Sequence, residues 1–253
     1  MNAAILHLLP VRTAGAAENM ALDFLLLQRY PDADRPRFRH YEWRGPAFTF
    51  GFSQKISFVR ENLPMGDPVE LCRRPTGGGI VDHRNDWTYT LVLPRTHALY
   101  DAAATEAYRV VHQALTEALV ALGEPAELKV VCEPAAKGGS EPVERATSLP
   151  RETPMPGVCF QRAERYDVVH RRSGAKIAGA AMKRNKHGLL LQGSVEKASV
   201  GAVDWDDFRG RFTAALGLAL RAAPQEAPWP ELNEDEVSGL IEQYSAREWI
   251  EYR

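Results

Sequence analysis

Three stretches of the sequence combine residue types that can do chemistry. The first is Arg73-Arg74-Pro75-Thr76-Gly77-Gly78-Gly79. Successive glycines strip the Cβ atoms from one wall, so the backbone can lie against a flat or linear ligand. The two arginines beside them are donors for phosphate or carboxylate. The run is neither a P-loop nor a dinucleotide fingerprint, because neither GxxxxGK[ST] nor GxGxxG is present. The second stretch is Gly174-Ala175-Lys176-Ile177-Ala178-Gly179-Ala180-Ala181, where a lysine sits among small residues on an otherwise apolar strand. A lysine taken out of water either loses basicity or finds an anionic or carbonyl partner. The third is Cys159, in Pro156-Gly157-Val158-Cys159-Phe160, a candidate nucleophile.

Each stretch also has a plainer reading. Three glycines serve as a flexible turn, Gly174 can make a hairpin that sends Lys176 to water, and a free cysteine is usually a small buried hydrophobe. Cys72 and Cys132 end apolar strands, where packing suits them. His83 and His187 fit either a base or a hydrogen-bonded surface role. No spacing suggests a metal site: there is no HExxH, no Cys/His cluster and no paired carboxylates at ligand intervals.

The elements that must position these residues follow from periodicity. Strands are expected at 3–9, 37–43, 46–51, 69–72, 80–81, 87–93 and 128–131, then at 158–160, 166–170, 176–182 and 189–195. Apolar residues spaced by three and four predict helices at 14–30, 103–122 (with Gly123 as its stop) and 205–220. A last helix is expected at 234–244, opened by Asn233 as a cap. Residues 133–156 carry five prolines and few large apolar side chains and read as a long mobile surface loop. Runs of strands broken by a few helices predict an α+β fold with a mostly antiparallel sheet rather than a βαβ array.

The whole chain narrows the function. It has 253 residues, 45% of them hydrophobic and 25% charged, which fits one domain with a substantial core over 1–253. A net charge of −2 gives no global field toward nucleic acid or anionic membrane, so neither is expected as a partner. Three cysteines without a CxxC pair fit free thiols in a reducing compartment. With no basic leader and no apolar run of membrane-spanning length, a cytoplasmic protein is expected.

Taken together, these residues resemble the lipoate–protein ligase and octanoyltransferase family of the biotin–lipoate ligase superfamily. Its double arginine, two spacers, three glycines and small-apolar run ending in histidine are matched by Arg73 through His83. Its lysine followed by apolar-small-Gly-small-Ala is matched by Lys176-Ile177-Ala178-Gly179-Ala180-Ala181, and a following His-Gly and apolar strand by His187-Gly188-Leu189-Leu190-Leu191. Weaker echoes are Glu18 to Asp23, Phe50 to Gln54, Tyr166-Asp167 and Tyr244 to Trp249. The chain departs from the pattern at Asp82, usually aromatic or apolar, and at Arg84, commonly Asp.

The resemblance implies the catalytic domain shared with biotin ligases, with an acyl chain in a tunnel beside the sheet; because the sequence stops soon after Trp249, the C-terminal accessory domain usual in the ligases is not expected. Arg73, Arg74, Thr76, Gly77, Gly78, Gly79, His83, Gly179, Ala180, His187 and Gly188 would form the acyl site. Lys176 would touch the reacting carbonyl. Cys159-Phe160, then Tyr166-Asp167, then Lys176 follows the order of the ligase-like, cysteine-dependent octanoyltransferases, and Gln192-Gly193-Ser194 also points that way. That branch implies an octanoyl group passed from acyl carrier protein, through a cysteine thioester, to a lysine of a lipoyl domain. The acceptor would belong to a 2-oxoacid dehydrogenase or to glycine cleavage H protein, and no cofactor would be needed. The alternative within the family is an ATP-dependent lipoate–protein ligase that works through lipoyl-adenylate, uses ATP and Mg, and has a separate accessory subunit.

Overall fold

A computed structural model describes residues 4–64, 66, 68–130 and 163–252. The expected loop at 133–156, the strand at 158–160 and Cys159 itself lie outside the described residues.

The strands are β1 (Ala4–Ala14), β2 (Arg37–Trp43), β3 (Ala47–Phe50), β4 (Glu70–Arg73), β5 (Ile80–Asp82), β6 (Asp86–Pro94), β7 (Ala126–Leu128), β8 (Val168–His170), β9 (Lys176–Asn185), β10 (Gly188–Glu196) and β11 (Ala222–Glu226). The helices are α1 (Ala16–Gln28), α2 (Ile56–Glu61), α3 (Ala98–Asp101), α4 (Ala104–Ala121), α5 (Trp205–Leu220), α6 (Glu234–Ser245) and α7 (Arg247–Ile250). The large sheet runs β11-β1-β2-β6-β10-β9-β8-β7, and a small sheet runs β4-β3-β5.

The expected α+β fold is observed, and the large sheet is mostly antiparallel. Its parallel part is the β11, β1, β2 end, where α1 carries the chain over from β1 to a parallel β2. A βαβ unit therefore opens the chain, a second short one (β3, α2, β4) makes the parallel pair of the small sheet, and the large-sheet strands from β2 through β6, β10, β9, β8 and β7 pair antiparallel. Periodicity missed α2, α3 and α7, which are too short to show a period, and β11, whose Ala-Ala-Pro-Gln-Glu is mostly exposed. The strand expected at 128–131 forms earlier, at Ala126–Leu128.

Both faces of the central strands are covered, so all nine residues of β6 are buried. One face, through Trp87, Tyr89, Leu91, Leu189 and Leu191, packs on Val111, Leu115 and Leu119 of α4 and on Phe208 and Phe212 of α5. The other face lies under α1 and the small sheet. There the same strands present Asp86, Thr88, Thr90, Gln192 and Ser194, all of them buried. The alternation of a strand thus places core on one side and buried polar groups on the other. Local signals set the helix ends: the Asp204 side chain accepts from the N–H groups of Asp206 and Asp207, Asn233 accepts from that of Glu236, and Gly123 takes a φ of +88° after α4. No helix among the described residues is long and apolar enough to cross a membrane.

Candidate active site

Between the polar face of the large sheet and the small sheet lies a narrow cavity whose empty space, open solvent at its mouth included, is about 420 Å³. Its floor is one row of paired residues across four strands: Gly179 of β9, Ser194 of β10, Thr88 of β6 and Tyr41 of β2. Three strand spacings make this row about 14 Å long. Its roof is Thr49, Arg74, Gly78, Val81 and His83. The roof comes close because of two glycines. A Cβ on Gly51 would sit 2.1 Å from the Gly78 carbonyl oxygen, and Gly78 itself has a φ of +89°.

Of the residues expected from sequence, Arg74, Gly78, His83, Gly179 and Ala180 line this cavity. Arg74 organises the glycine loop: one terminal nitrogen donates to the carbonyls of Gly77 and Gly79, both at 2.9 Å, and the other to Thr49 Oγ1 at 2.7 Å. Thr76 acts at one remove, donating to Oε1 of the lining residue Gln192 at 2.7 Å. Arg73 does not line the cavity. It is buried and donates to the carbonyls of Phe52, Gln54, Trp249 and Ile250, so it ties the chain's last helix to the loop after β3. His187 and Gly188 also lie away from it, at the hairpin between β9 and β10, where Gly188 pairs with Pro94. The two departures from the family pattern are partners, since Arg84 grips the Asp82 carboxylate in an exposed ion pair outside the roof.

Lys176 does not point to water. It is 7% exposed, and its Nζ lies 2.7 Å from Asp167 Oδ2. The side chain passes over Gly179 so closely that a Cβ there would be 2.6 Å from Cε and Nζ. Lys176 does not itself line the cavity; its ammonium is held beside Gly179, the β9 end of the cavity floor, with a carboxylate in place of the water it gave up.

Sequence reasoning missed much of the polar frame. His83 donates from Nδ1 to Asp86 Oδ2 at 2.7 Å, and its Nε2 lies 2.7 Å from the Thr49 hydroxyl. Burial alone would raise the Asp86 carboxyl, but the His83 charge and hydrogen bonds from His83, Ser194 and Thr88 outweigh it and hold it below its ordinary value. Asp23 on α1 is a second hub, accepting from Arg39 Nε (2.7 Å), Thr90 Oγ1 (2.8 Å) and Gln192 Nε2 (2.7 Å). A signal for these residues does exist, because Asp86, Thr88 and Thr90 alternate with Trp87, Tyr89 and Leu91 on one strand. No group of three or more His, Cys, Asp or Glu able to hold a metal occurs among the described residues.

Residues 15–198 match the model of the lipoyl protein ligase A/B catalytic domain. The chain belongs to that family. Among curated relatives, the octanoyltransferase LipM of Bacillus cereus is 33% identical over 181 residues, 71% of this chain and 60% of the relative. That of Macrococcus caseolyticus is 29% identical over 93% of this chain and 94% of its own length. The chain thus spans about three-fifths of the length of the first of these relatives. Among solved structures, lipoate-protein ligase A bound with ATP superposes with a TM-score of 0.68 at 20% identity, covering 99% of both chains. The bipartite lipoate protein ligase of Thermoplasma acidophilum gives 0.67 at 18%, covering 100% of this chain and 98% of that one. At such identities these structures establish the fold. Within the family's matched range lie both the glycine loop and the Lys176 strand, the two walls of the cavity.

Proposed function

We propose that the protein is an octanoyltransferase of lipoate synthesis, which takes an octanoyl group from acyl carrier protein onto Cys159 and passes it to a lysine of a lipoyl domain. The observation that carries this reading is the buried Lys176, charge-balanced by Asp167, at one end of a narrow cavity floored and roofed largely by small residues. The relatives named octanoyltransferase support transfer over ligation.

On this reading the acyl chain lies along the cavity and its carbonyl sits by Lys176. The Cys159 thiolate attacks the incoming thioester, and negative charge develops on the carbonyl oxygen, where the Lys176 ammonium donates a hydrogen bond. The phosphopantetheine leaves as its thiolate and an octanoyl thioester on Cys159 remains. The acceptor lysine, as its neutral amine, then displaces the Cys159 thiolate, and the proton lost from the attacking nitrogen balances the charge of that thiolate, leaving an amide and the free Cys159 thiol. The thioester itself supplies the driving force, so neither ATP nor Mg takes part. Asp167 orients Lys176 through both steps, and Arg74 keeps the glycine loop against the chain. Cys72 is unsuited to the nucleophile's role: it is 1% exposed and burial pushes its thiol up to about 12. Acceptors of the matching chemistry are lipoyl domains of 2-oxoacid dehydrogenases and glycine cleavage H protein.

The test is intact mass after mixing with octanoyl–acyl carrier protein. An octanoyl adduct without ATP, released by hydroxylamine and lost in Cys159→Ser, is the expected result. Lipoylation of a lipoyl domain that needs free lipoate and ATP, and proceeds in Cys159→Ser, would overturn it in favour of a ligase.

A further inference from the structure

The Lys176–Asp167 pair is held by a turn, and the turn is held by a histidine outside the cavity. Tyr166, which precedes Asp167, has a φ of +69°, a left-handed conformation that a residue with a Cβ seldom adopts. The backbone fastens this turn to Lys129: Tyr166 N–H donates to the Lys129 carbonyl at 2.7 Å, and Lys129 N–H to that of Asp167 at 2.9 Å. The Asp167 carboxylate accepts from Glu164 N–H and from Lys176, both at 2.7 Å and both at Oδ2. The Tyr166 carbonyl accepts from Nδ1–H of His112 at 2.6 Å.

His112 is out of place by packing alone. It is 1% exposed on α4, on the face that carries Val111, Leu115 and Leu119 into the core. Burying an imidazole there costs its hydration. Bonding a carbonyl fixes the proton on Nδ1, and Nε2 has no hydrogen-bond partner among the described residues. Among the described residues the ring's one hydrogen bond is therefore made to the carbonyl of the left-handed residue next to Asp167. Asp167 and Lys176 are also the charged groups that act on the imidazole, in opposite senses, while Tyr108 stacks on it with ring centroids 6.1 Å apart.

We propose that His112 is a positioning residue for the transfer reaction: by bonding the Tyr166 carbonyl it holds the left-handed turn that aims the Asp167 carboxylate at Lys176. This rests on the reading that Lys176 serves acyl transfer. Without the imidazole the half-buried Tyr166 carbonyl loses its bond to His112, the turn relaxes, and the ammonium moves with its carboxylate. A displacement near 1 Å at such a group costs about 10²-fold in rate.

The test compares His112→Leu, His112→Asn and His112→Gln, with Leu119→Ala on the same helix as a control for lost packing. Two readouts are taken: single-turnover octanoyl transfer with KM for the lipoyl domain, and the rate at which an amine-reactive ester labels Lys176 relative to Lys183, followed by peptide mass. His112→Leu is expected to lower the transfer rate about 10- to 100-fold with KM unchanged, and to speed Lys176 labelling. His112→Asn, whose amide N–H falls near Nδ1–H, restores both readouts, whereas His112→Gln does not. Leu119→Ala lowers the melting temperature and moves neither. The proposal is overturned if Asn fails to rescue where Leu is impaired, if Leu behaves as wild type, or if Leu119→Ala produces the same changes. Should His112→Leu not fold, the Asn–Gln contrast decides alone. A wild-type protein with no transfer activity refutes the functional reading, and the labelling readout still judges His112.

Discussion

Substituting Gly179 by alanine separates the site from the fold. The added Cβ would stand 2.6 Å from both Cε and Nζ of Lys176 and 3.1 Å from Asp167 Oδ1. Ordinary contact begins near 3.5 Å, so the lysine tip must retreat by about 1 Å. The tip is the far end of a flexible chain, and an off-rotamer torsion costs about 0.5–1.5 kcal/mol. For a chain of this size that lowers Tm by about 1–6 °C. On the proposed function, the same 1 Å would carry the ammonium off the substrate carbonyl oxygen, a change worth about 10²-fold in transfer rate. The assay is single-turnover octanoyl transfer to a lipoyl domain, with thermal melting of the same preparations. A wild-type rate would mean that Lys176 need not hold its observed position. A Tm loss well beyond 10 °C would mean that Gly179 is required for folding and not for placing the lysine.

Lys176→Ala should abolish transfer but, contrary to what a lysine on a strand facing a tunnel suggests, should not leave stability untouched. It strands a buried Asp167 carboxylate at a cost of about 3–5 kcal/mol, measurable by urea unfolding, and an unchanged midpoint would refute the pairing. Gly51→Ala meets backbone at 2.1 Å (the Gly78 carbonyl) and 2.6 Å (the Gly77 carbonyl carbon), neither of which can swing aside; it should lose about 1–3 kcal/mol or more in the same assay and close the cavity roof. Stability should fall on acidification. Burial holds His40 and His112 below the ordinary 6.5, so the unfolded chain takes up protons first and stability drains below about pH 6.5. Asp86, held below its ordinary value, adds stability that is present above 3.8 and lost as pH falls through its folded value. A Tm that rises between pH 7 and pH 5 would contradict the histidine contribution, and one that holds level as pH falls below 3.8 would contradict that of Asp86.

The fold was legible wherever a pattern is local. The 205–220 periodicity gives α5 residue for residue, and the alternation over 37–43 gives β2. The four-residue helices α3 and α7 are shorter than two turns and leave no period to detect, and β11 is ordered by pairing with β1 rather than by its own residues. The sheet's parallel end was unreadable for a related reason: the direction of β2 against β1 depends on where α1 packs, a tertiary fact.

For the site, legibility divides at the same line. The glycine run and the Lys176 strand announce themselves by composition, and both walls are where such residues would be needed. Arg73 and Arg74 are adjacent and alike in sequence, yet β4 ends between them; one reaches the C-terminal carbonyls and the other folds the glycine loop. The hubs Asp23 and Asp86 gain meaning only through partners as distant as Gln192 and Ser194. Their pairing follows from a single geometric fact. In β6 and β10 the odd-numbered residues build the core against α4 and α5, so the even-numbered ones are forced onto the opposite face, already rigid and already dry. Polar groups placed there must satisfy one another, as Asp23 with Arg39 and Asp86 with His83 do, and beyond those two strands Asp167 does the same with Lys176. Because each of these buried charges has its partner within the protein, the groups are fixed in place before any ligand arrives. That is the condition under which Lys176 could stabilise a developing oxyanion without reorganising its surroundings at the moment of reaction.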